Sequence, residues 1–373
     1  MDALTDRARQ WAATMHGGGA WEGHRHAHDD PPAWVGPAGP FEREQREELE
    51  DLVLAPGATR ARGAGHRAVD EAPDRFRTCF ERDRDRILHA SAFRRLAGKT
   101  QVFVAPNDHQ RTRLTHALEV AQVATSVARS VQVNVALTEA IAIGHDCGHG
   151  PGGHASEDAF TPYLDEGYDH AVWGADVVLD DLNLCLETLD GVRNHSWSRP
   201  RPSTPEGEIV SWADRVAYVC HDFEDAVLAG IVAPDDLPDE VAAVCGRSRR
   251  QQLHTFISAL VDSIRATGRV TMPEREAEAL GAFRRFNYDR IYLRPASRTQ
   301  ASRVIEVLSA LVDFYTDHPH RLGASHEGLT SGSDDAVRAA VTYVGGMTDR
   351  YAYQQALSLL DWPPERLPTR VVG

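Results

Sequence analysis

The feature that most constrains this chain is a histidine at the end of an apolar helical stripe. In RLTHALEVAQVATSVARSV, His116, Val120, Val123, Val127 and Val131 recur at spacings of four, three, four and four. Those spacings put all five on one face of an α-helix, so the imidazole is carried inward with the valines. In VNVALTEAIAIGHD, Leu137, Ile141 and His145 share a face in the same way. A third helix, from about Glu208 to Ala229, buries Ile209, Ala213, Val216, Cys220, Phe223 and Val227, with Asp214 near the edge of its stripe. Strand-like alternation is scarce, which predicts a mainly α-helical fold.

Helical patterning runs from about residue 75 to 230, with Gly191, Pro200, Pro202 and Pro205 marking a loop. Further helices are expected around Arg249–Ala266, Thr299–Tyr315 and Asp334–Tyr343. A domain boundary near 230 has only weak support, because nothing there reads as a long linker. Residues 1–40 hold Gly17-Gly18-Gly19, a His24/His26/His28 alternation and Pro31-Pro32, and read as a flexible extension. No stretch approaches the roughly 18 apolar residues of a membrane span, and the polar N-terminus carries no signal-peptide core. Five scattered cysteines without a CxxC pair read as free thiols in a reducing compartment. The expectation is a cytoplasmic protein. A formal net charge of −15 disfavours non-specific nucleic-acid binding, yet local arginines and a metal ion can still attract a phosphorylated substrate. Lys99 is the single lysine; every other side-chain cation is arginine, a pattern that arginine-biased codon usage explains.

A lone histidine on an apolar face is usually a satisfied core residue. Here His116 and His145 are both carried inward, Asp146 follows directly, and Asp214 sits on an otherwise core-facing helix. A buried carboxylate needs a cation or strong donors. Two imidazoles and two carboxylates suit one divalent ion, with Mn²⁺, Mg²⁺, Fe²⁺, Co²⁺, Ni²⁺ and Zn²⁺ all compatible. With four protein ligands, an octahedral ion keeps open positions for water and a substrate oxygen. The segment GHDCGHGPGGHASE (144–157) adds His149, His154 and Glu157. His154 and Glu157 lie three apart, so at a helix start the carboxylate can orient the imidazole as a general acid or base. Asp214, Tyr218 and Asp222 line one stripe of the third helix, beside Arg215.

These segments resemble the HD-domain superfamily, and more closely its deoxyguanosinetriphosphate triphosphohydrolase family. The resemblance runs from about Phe41 to the C-terminus. It rests on FERDRDRILHASAFRRLAGKTQVF (80–103), RTRLTHALEVAQVA (111–124), residues 144–157, LNLCLETLDG (182–191), WADRVAYVCHDFEDA (212–226) and YVGGMTDRYA (343–352). It implies an all-α enzyme with an HD-domain catalytic core over 41–230 and additional C-terminal helices over 231–373. Those helices would pack on the core and complete the nucleotide pocket. The implied reaction splits a deoxynucleoside triphosphate (dNTP) into deoxynucleoside and inorganic triphosphate. Carried over by position, His116, His145, Asp146 and Asp214 bind metal. His154, supported by Glu157, moves the proton. His149 and Arg113 contact phosphate, and His170 lies near the reaction centre. Arg215 and Tyr218 meet the triphosphate, and Gln101 and Asp222 meet the deoxyribose. The family further implies a homo-oligomer, tetramer or hexamer, with a regulatory dNTP or single-stranded DNA as an additional partner.

The chain departs from the family pattern at Gly150-Pro151-Gly152, where Pro-Pro-Phe is usual. It departs again at Ala171-Val172-Trp173, where an Asn and a Gln are usual. An aromatic wall and two amides are lost, which bears on base preference. Two other readings compete. One is a different HD-type phosphohydrolase acting on a nucleoside monophosphate or a signalling nucleotide, which would not release triphosphate. The other is a non-catalytic nucleotide- or DNA-binding regulator, which would have no use for the His154/Glu157 pair.

Overall fold

The inward-facing histidine stripes become neighbouring helices in the interior of an all-α protein. The structure is a computed structural model describing residues 5–14, 17–28, 30–104, 106, 108–326 and 328–369. The chain divides into two compact units, Met1–Glu42 and Arg43–Gly373. In the first, helix α1 (Asp6–Ala13) is capped by Thr5, whose hydroxyl accepts from the Ala8 N–H at 3.2 Å. No α1 residue is buried. A short antiparallel hairpin follows, β1 (Ala20–Trp21) and β2 (His24–Arg25), turning at Glu22 and Gly23 with φ of 46° and 82°. It is the sole sheet among the described residues.

The second unit carries α2 (Arg43–Val53), α3 (Cys79–His89), α4 (Ser91–Arg95), α5 (Arg113–Val131), α6 (Val135–Gly144), α7 (His154–Phe160), α8 (His170–Trp173), α9 (Leu186–Arg193) and α10 (Pro205–Leu228). It continues through α11 (Asp239–Cys245), α12 (Arg249–Thr267), α13 (Glu274–Asn287), α14 (Pro295–Asp317), α15 (Asp334–Gly345) and α16 (Asp349–Leu359). Their ends follow local chemistry. Gln132 turns left-handed at φ 58° to stop α5, and two residues later the Asn134 side chain accepts from the Leu137 N–H to start α6. α10 begins three residues earlier than its apolar stripe suggests. Thr204 accepts from the Gly207 N–H at 3.1 Å, and Pro205 takes the first helical position, where a missing N–H costs nothing. The apolar periodicity did not mark α1, α2, α11, α13 or α16 as separate helices.

Two apolar cores organise this unit. The first joins α3, α5, α6 and α10 to α11–α13, through Ile87, Val120, Leu137, Ile141, Val216, Phe256 and Phe283. The chain thus passes residue 230 without leaving that core. The second gathers α7, α8 and α14–α16 around Phe160, Trp173, Val304, Leu308, Leu311 and Val344. Buried carboxylates tie loops between helices. Glu206 accepts from the Thr59 N–H at 3.0 Å, the Asn134 N–H at 2.9 Å and the Thr59 hydroxyl at 2.7 Å. Asp83 pairs with Arg67 at 2.7 Å and accepts from the Cys185 N–H and the Thr188 hydroxyl. No helix among the described residues is long and apolar enough to cross a membrane. Leu311 is fully buried in the second core. Leu311→Ala should cost about 2–5 kcal/mol of stability, read as a lowered urea midpoint at unchanged slope.

Candidate active site

The site lies where α5, α6 and α10 meet. α5 brings His116, the C-terminal end of α6 brings His145 and Asp146, and α10 brings Asp214. His116 Nε2 is 3.1 Å from Asp214 Oδ1 and 3.9 Å from Asp146 Oδ2. His145 Nε2 is 3.5 Å from Asp146 Oδ1 and 3.7 Å from Asp214 Oδ1. Four donor groups from three helices therefore lie together: His116, His145 and Asp214 bring ligand atoms within 4.8 Å of one another, and His145, Asp146 and His195 do the same. His145 Nδ1 lies 2.6 Å from the Ala142 carbonyl, a bond it can only donate. That fixes the tautomer and leaves a lone pair on Nε2, which is buried and has no hydrogen-bond partner. An orphaned imidazole lone pair aimed at two carboxylates fits a divalent cation. Asp214 keeps 19% of its side chain exposed while the other three are almost closed off, so the cluster opens on the α10 side.

Electrostatics account for the buried charges. Burial alone would raise the Asp146 carboxyl, but Arg113, His145 and His149 hold it well below the ordinary range. Arg113 donates Nη1 to Asp146 at 2.7 Å and is itself buried. Expected at phosphate, it faces Asp146 here. Burial would lower His116; the Asp214 hydrogen bond and the Asp146 charge leave it raised. Cys147, inside the motif, has its thiol pushed up to about 12 by burial, which makes it a core hydrophobe.

A second cluster adjoins the first. His154 opens α7, and its Nδ1 lies 3.0 Å from Glu157 Oε1. The same oxygen receives His170 Nδ1 at 2.7 Å. His154 leaves 76% of its side chain exposed, so Nε2 is open to a ligand while Nδ1 is held. His149 stacks on His170 with ring centroids 3.7 Å apart, and its Nε2 approaches Asp146 Oδ1 at 3.2 Å, linking the clusters. Burial, with the Arg113 and His170 charges, keeps His149 neutral. Burial would also lower His170, but Glu157 wins and leaves it raised. The loop that carries His149 needs its glycines. A Cβ on Gly148 would lie 2.0 Å from the His170 carbonyl oxygen, and Gly152 sits at φ +72° against Val304.

His195 belongs to this site and is absent from the sequence reading. Its Nδ1 donates to the Val192 carbonyl at 2.8 Å, and its Nε2 faces His170 Nε2 at 3.3 Å. Burial, with the neighbouring His145 and His170 rings, lowers it to about 3. Two ring nitrogens at that distance need one proton between them, and the raised His170 supplies it. The one signal was position: a histidine just after LETLDG, in the loop before α10.

Along α10 the remaining candidates follow one another. The Arg215 guanidinium stacks over Trp197, 3.6 Å from the ring centroid, and forms no ion pair among the described residues. Burial pushes the Tyr218 hydroxyl up to about 12, and its oxygen accepts from Arg284 Nε at 2.7 Å. Asp222 accepts from the Tyr292 hydroxyl at 2.5 Å. Gln101 has a buried Oε1 without a partner. Trp197, Arg284 and Tyr292 were missed because they come from distant loops and helices.

Residues 113–219 match the family model described as HD domain. Residues 270–357 match the one described as phosphohydrolase-associated domain. A protein of Caldanaerobacter subterraneus named deoxyguanosinetriphosphate triphosphohydrolase-like protein is 38% identical over 319 residues, covering 83% of this chain and 93% of the relative. One of the same name from Clostridium perfringens is 36% identical over 325 residues, covering 83% and 94%. The chain belongs to the deoxyguanosinetriphosphate triphosphohydrolase-like family of HD-domain proteins. Among solved structures, a phosphohydrolase from Bacteroides thetaiotaomicron superposes with a TM-score of 0.48 at 18% identity, covering 74% of this chain and 68% of that one. In this HD-domain protein, His116, His145, Asp146, His149, His154, Glu157, His170, His195 and Asp214 all fall within the HD match. Arg284 and Tyr292 come from the associated domain. Membership supports a phosphohydrolase.

Two expectations follow. If the four donors hold a divalent ion, Asp146→Ala should lose it, and stoichiometric metal retained by that variant in elemental analysis would remove the ligand assignment. Burial also pushes Asp222 up to about 7, against the hydrogen bond from Tyr292. A carboxyl raised in the fold favours the protonated state. Its stability contribution is complete below the ordinary value of 3.8 and is lost as the pH rises through about 7. Asp222→Asn should flatten that decline in thermal melts taken across the same range.

Proposed function

We propose that the protein is a metal-dependent dNTP triphosphohydrolase, releasing deoxynucleoside and inorganic triphosphate. The observation that carries this reading is the adjacency of two clusters: a buried two-histidine, two-carboxylate set, and an exposed imidazole oriented by a carboxylate. A structural metal site would have no use for the second. The relatives named for dGTP hydrolysis support the substrate class.

The residues divide the work. His116, His145, Asp146 and Asp214 would hold a divalent cation, which would supply Lewis-acid polarisation of a phosphoryl oxygen and activation of water, worth several kcal/mol. Arg113 and His149 keep Asp146 ionised and pointed at the cluster. Arg215, braced on Trp197, and Tyr218 with Arg284 face the triphosphate, where charge-assisted hydrogen bonds are strongest. Asp222, Tyr292 and Gln101 meet the sugar. Water attacks the α-phosphorus and gives one proton up to solvent, the bond to the 5′ oxygen breaks, and that oxygen must gain a proton. His154 gives it from Nε2 while Glu157 stabilises the imidazolium through Nδ1, a step typically worth about 10²–10⁴-fold. His170, backed by His195, holds Glu157 from its other side.

Incubation with each dNTP and Mn²⁺, with products resolved by ion exchange, tests the reading. Deoxynucleoside with intact triphosphate supports it. Phosphate or pyrophosphate instead would point to another HD-type activity, and no turnover even with mixed dNTPs to a binding role. His154→Ala should fold and keep its metal while losing about 10²-fold or more in kcat; unchanged turnover would take His154 out of the mechanism.

A further inference from the structure

The single lysine is buried, with 3% of its surface exposed, although every other side-chain cation in the chain is arginine. Its ammonium donates to two backbone carbonyls, those of His149 and of Gly345, the latter at 2.9 Å. Gly345 is the last residue of α15, where helix carbonyls lack internal partners and a cation is favoured. One ammonium therefore joins the catalytic loop to the associated domain. A compact ammonium can serve two converging carbonyls in a closed space; the broad planar guanidinium of arginine is built for flat, two-oxygen acceptors.

Asp349, the first residue of α16, makes the matching connection from the other side. Its Oδ1 accepts from the Gly152 N–H at 2.9 Å, and its Oδ2 accepts from the Thr100 N–H at 3.0 Å and the Thr100 hydroxyl at 2.6 Å. The carboxylate is buried, so each of these bonds is costly to lose. The chain is also closely packed there. A Cβ on Gly98 would lie 2.8 Å from the Thr348 side-chain methyl, and one on Gly153 would lie 3.0 Å from the Thr100 carbonyl oxygen. The Lys99 carbonyl in turn accepts from the Arg113 N–H, at the start of the helix that carries His116.

We infer that Lys99 and Asp349 are positioning residues through which the associated domain holds the His149–His154 loop in its working geometry. Neither side chain bonds any of the residues that face substrate in the reading above. Lys99 fixes the carbonyl of His149, whose ring touches Asp146 and His170. Asp349 fixes the Gly152 amide, two residues before His154. Releasing either moves both histidines together; Asp146 loses the approach of His149 but keeps Arg113, so the metal-type cluster stays assembled.

This inference rests on the proposed triphosphohydrolase activity for one of its readouts, so a second is independent of it. Lys99→Met keeps the length of the side chain and removes the donors; Asp349→Asn keeps the shape and removes the charge. Amide exchange followed by mass spectrometry on the 148–154 segment should be about tenfold faster in either variant, whatever reaction the protein catalyses. Turnover of a dNTP should fall by about 10²-fold in kcat, with KM and bound metal little changed. Leu311→Ala, which destabilises the same domain from within its core, should change neither. Wild-type exchange and wild-type kcat in Lys99→Met would overturn the inference, as would an equal loss of kcat in Leu311→Ala. Should Lys99→Met fail to fold, Asp349→Asn decides by the same two readouts. A wild-type protein that releases no triphosphate would fail the proposed function, while the exchange result would still support or refute the positioning role.

Discussion

Everything around the site answers to one buried charge. Asp146 is nearly closed off from water just past the end of a largely apolar helix. Leaving a carboxylate unpartnered there would cost several kcal/mol. Arg113 meets one oxygen, His149 approaches the other, and His145 and His116 present ring nitrogens towards it. Each partner must itself be held, and the second tier of contacts does so: the Ala142 carbonyl on His145, Asp214 on His116, and Lys99 behind His149.

The groups around Asp146 are carried by two separate cores. The first, built on α5, α6 and α10, sets the spacing of the metal-type cluster. The second, built on α7 and α14–α16, carries the His154–Glu157 pair on its surface. The loop between α6 and α7 crosses from one to the other. Gly148 lets it pass close to the His170 carbonyl, and the Gly-Pro-Gly run at 150–152 lets it lie against Phe160, Ser156 and Val304. Relative movement of the two cores would separate the clusters, and the contacts at Lys99 and Asp349 oppose it.

Much of this was legible in the sequence. The stripes carrying His116, His145 and Asp214 are readable because helical periodicity is a local property. A residue's face follows from its neighbours three and four positions away. The His154–Glu157 spacing was readable for the same reason, and the order of the motif segments led to the family. Helix ends were less accessible: α10 begins at Pro205 because Thr204 caps it, a choice made by a polar side chain outside the apolar pattern.

The sequence by itself determined which residues turn inward and what chemistry they carry. Only the tertiary structure decided who their partners are. His195 reaches His170 across 25 residues, Tyr292 reaches Asp222 across 70, and Asp349 reaches Thr100 across 249. Nothing in the local pattern of any of them marks that meeting. The physical reason is that periodicity fixes direction from a helix axis, whereas contact also requires the axes to be placed. Their placement is set by the packing of both cores at once.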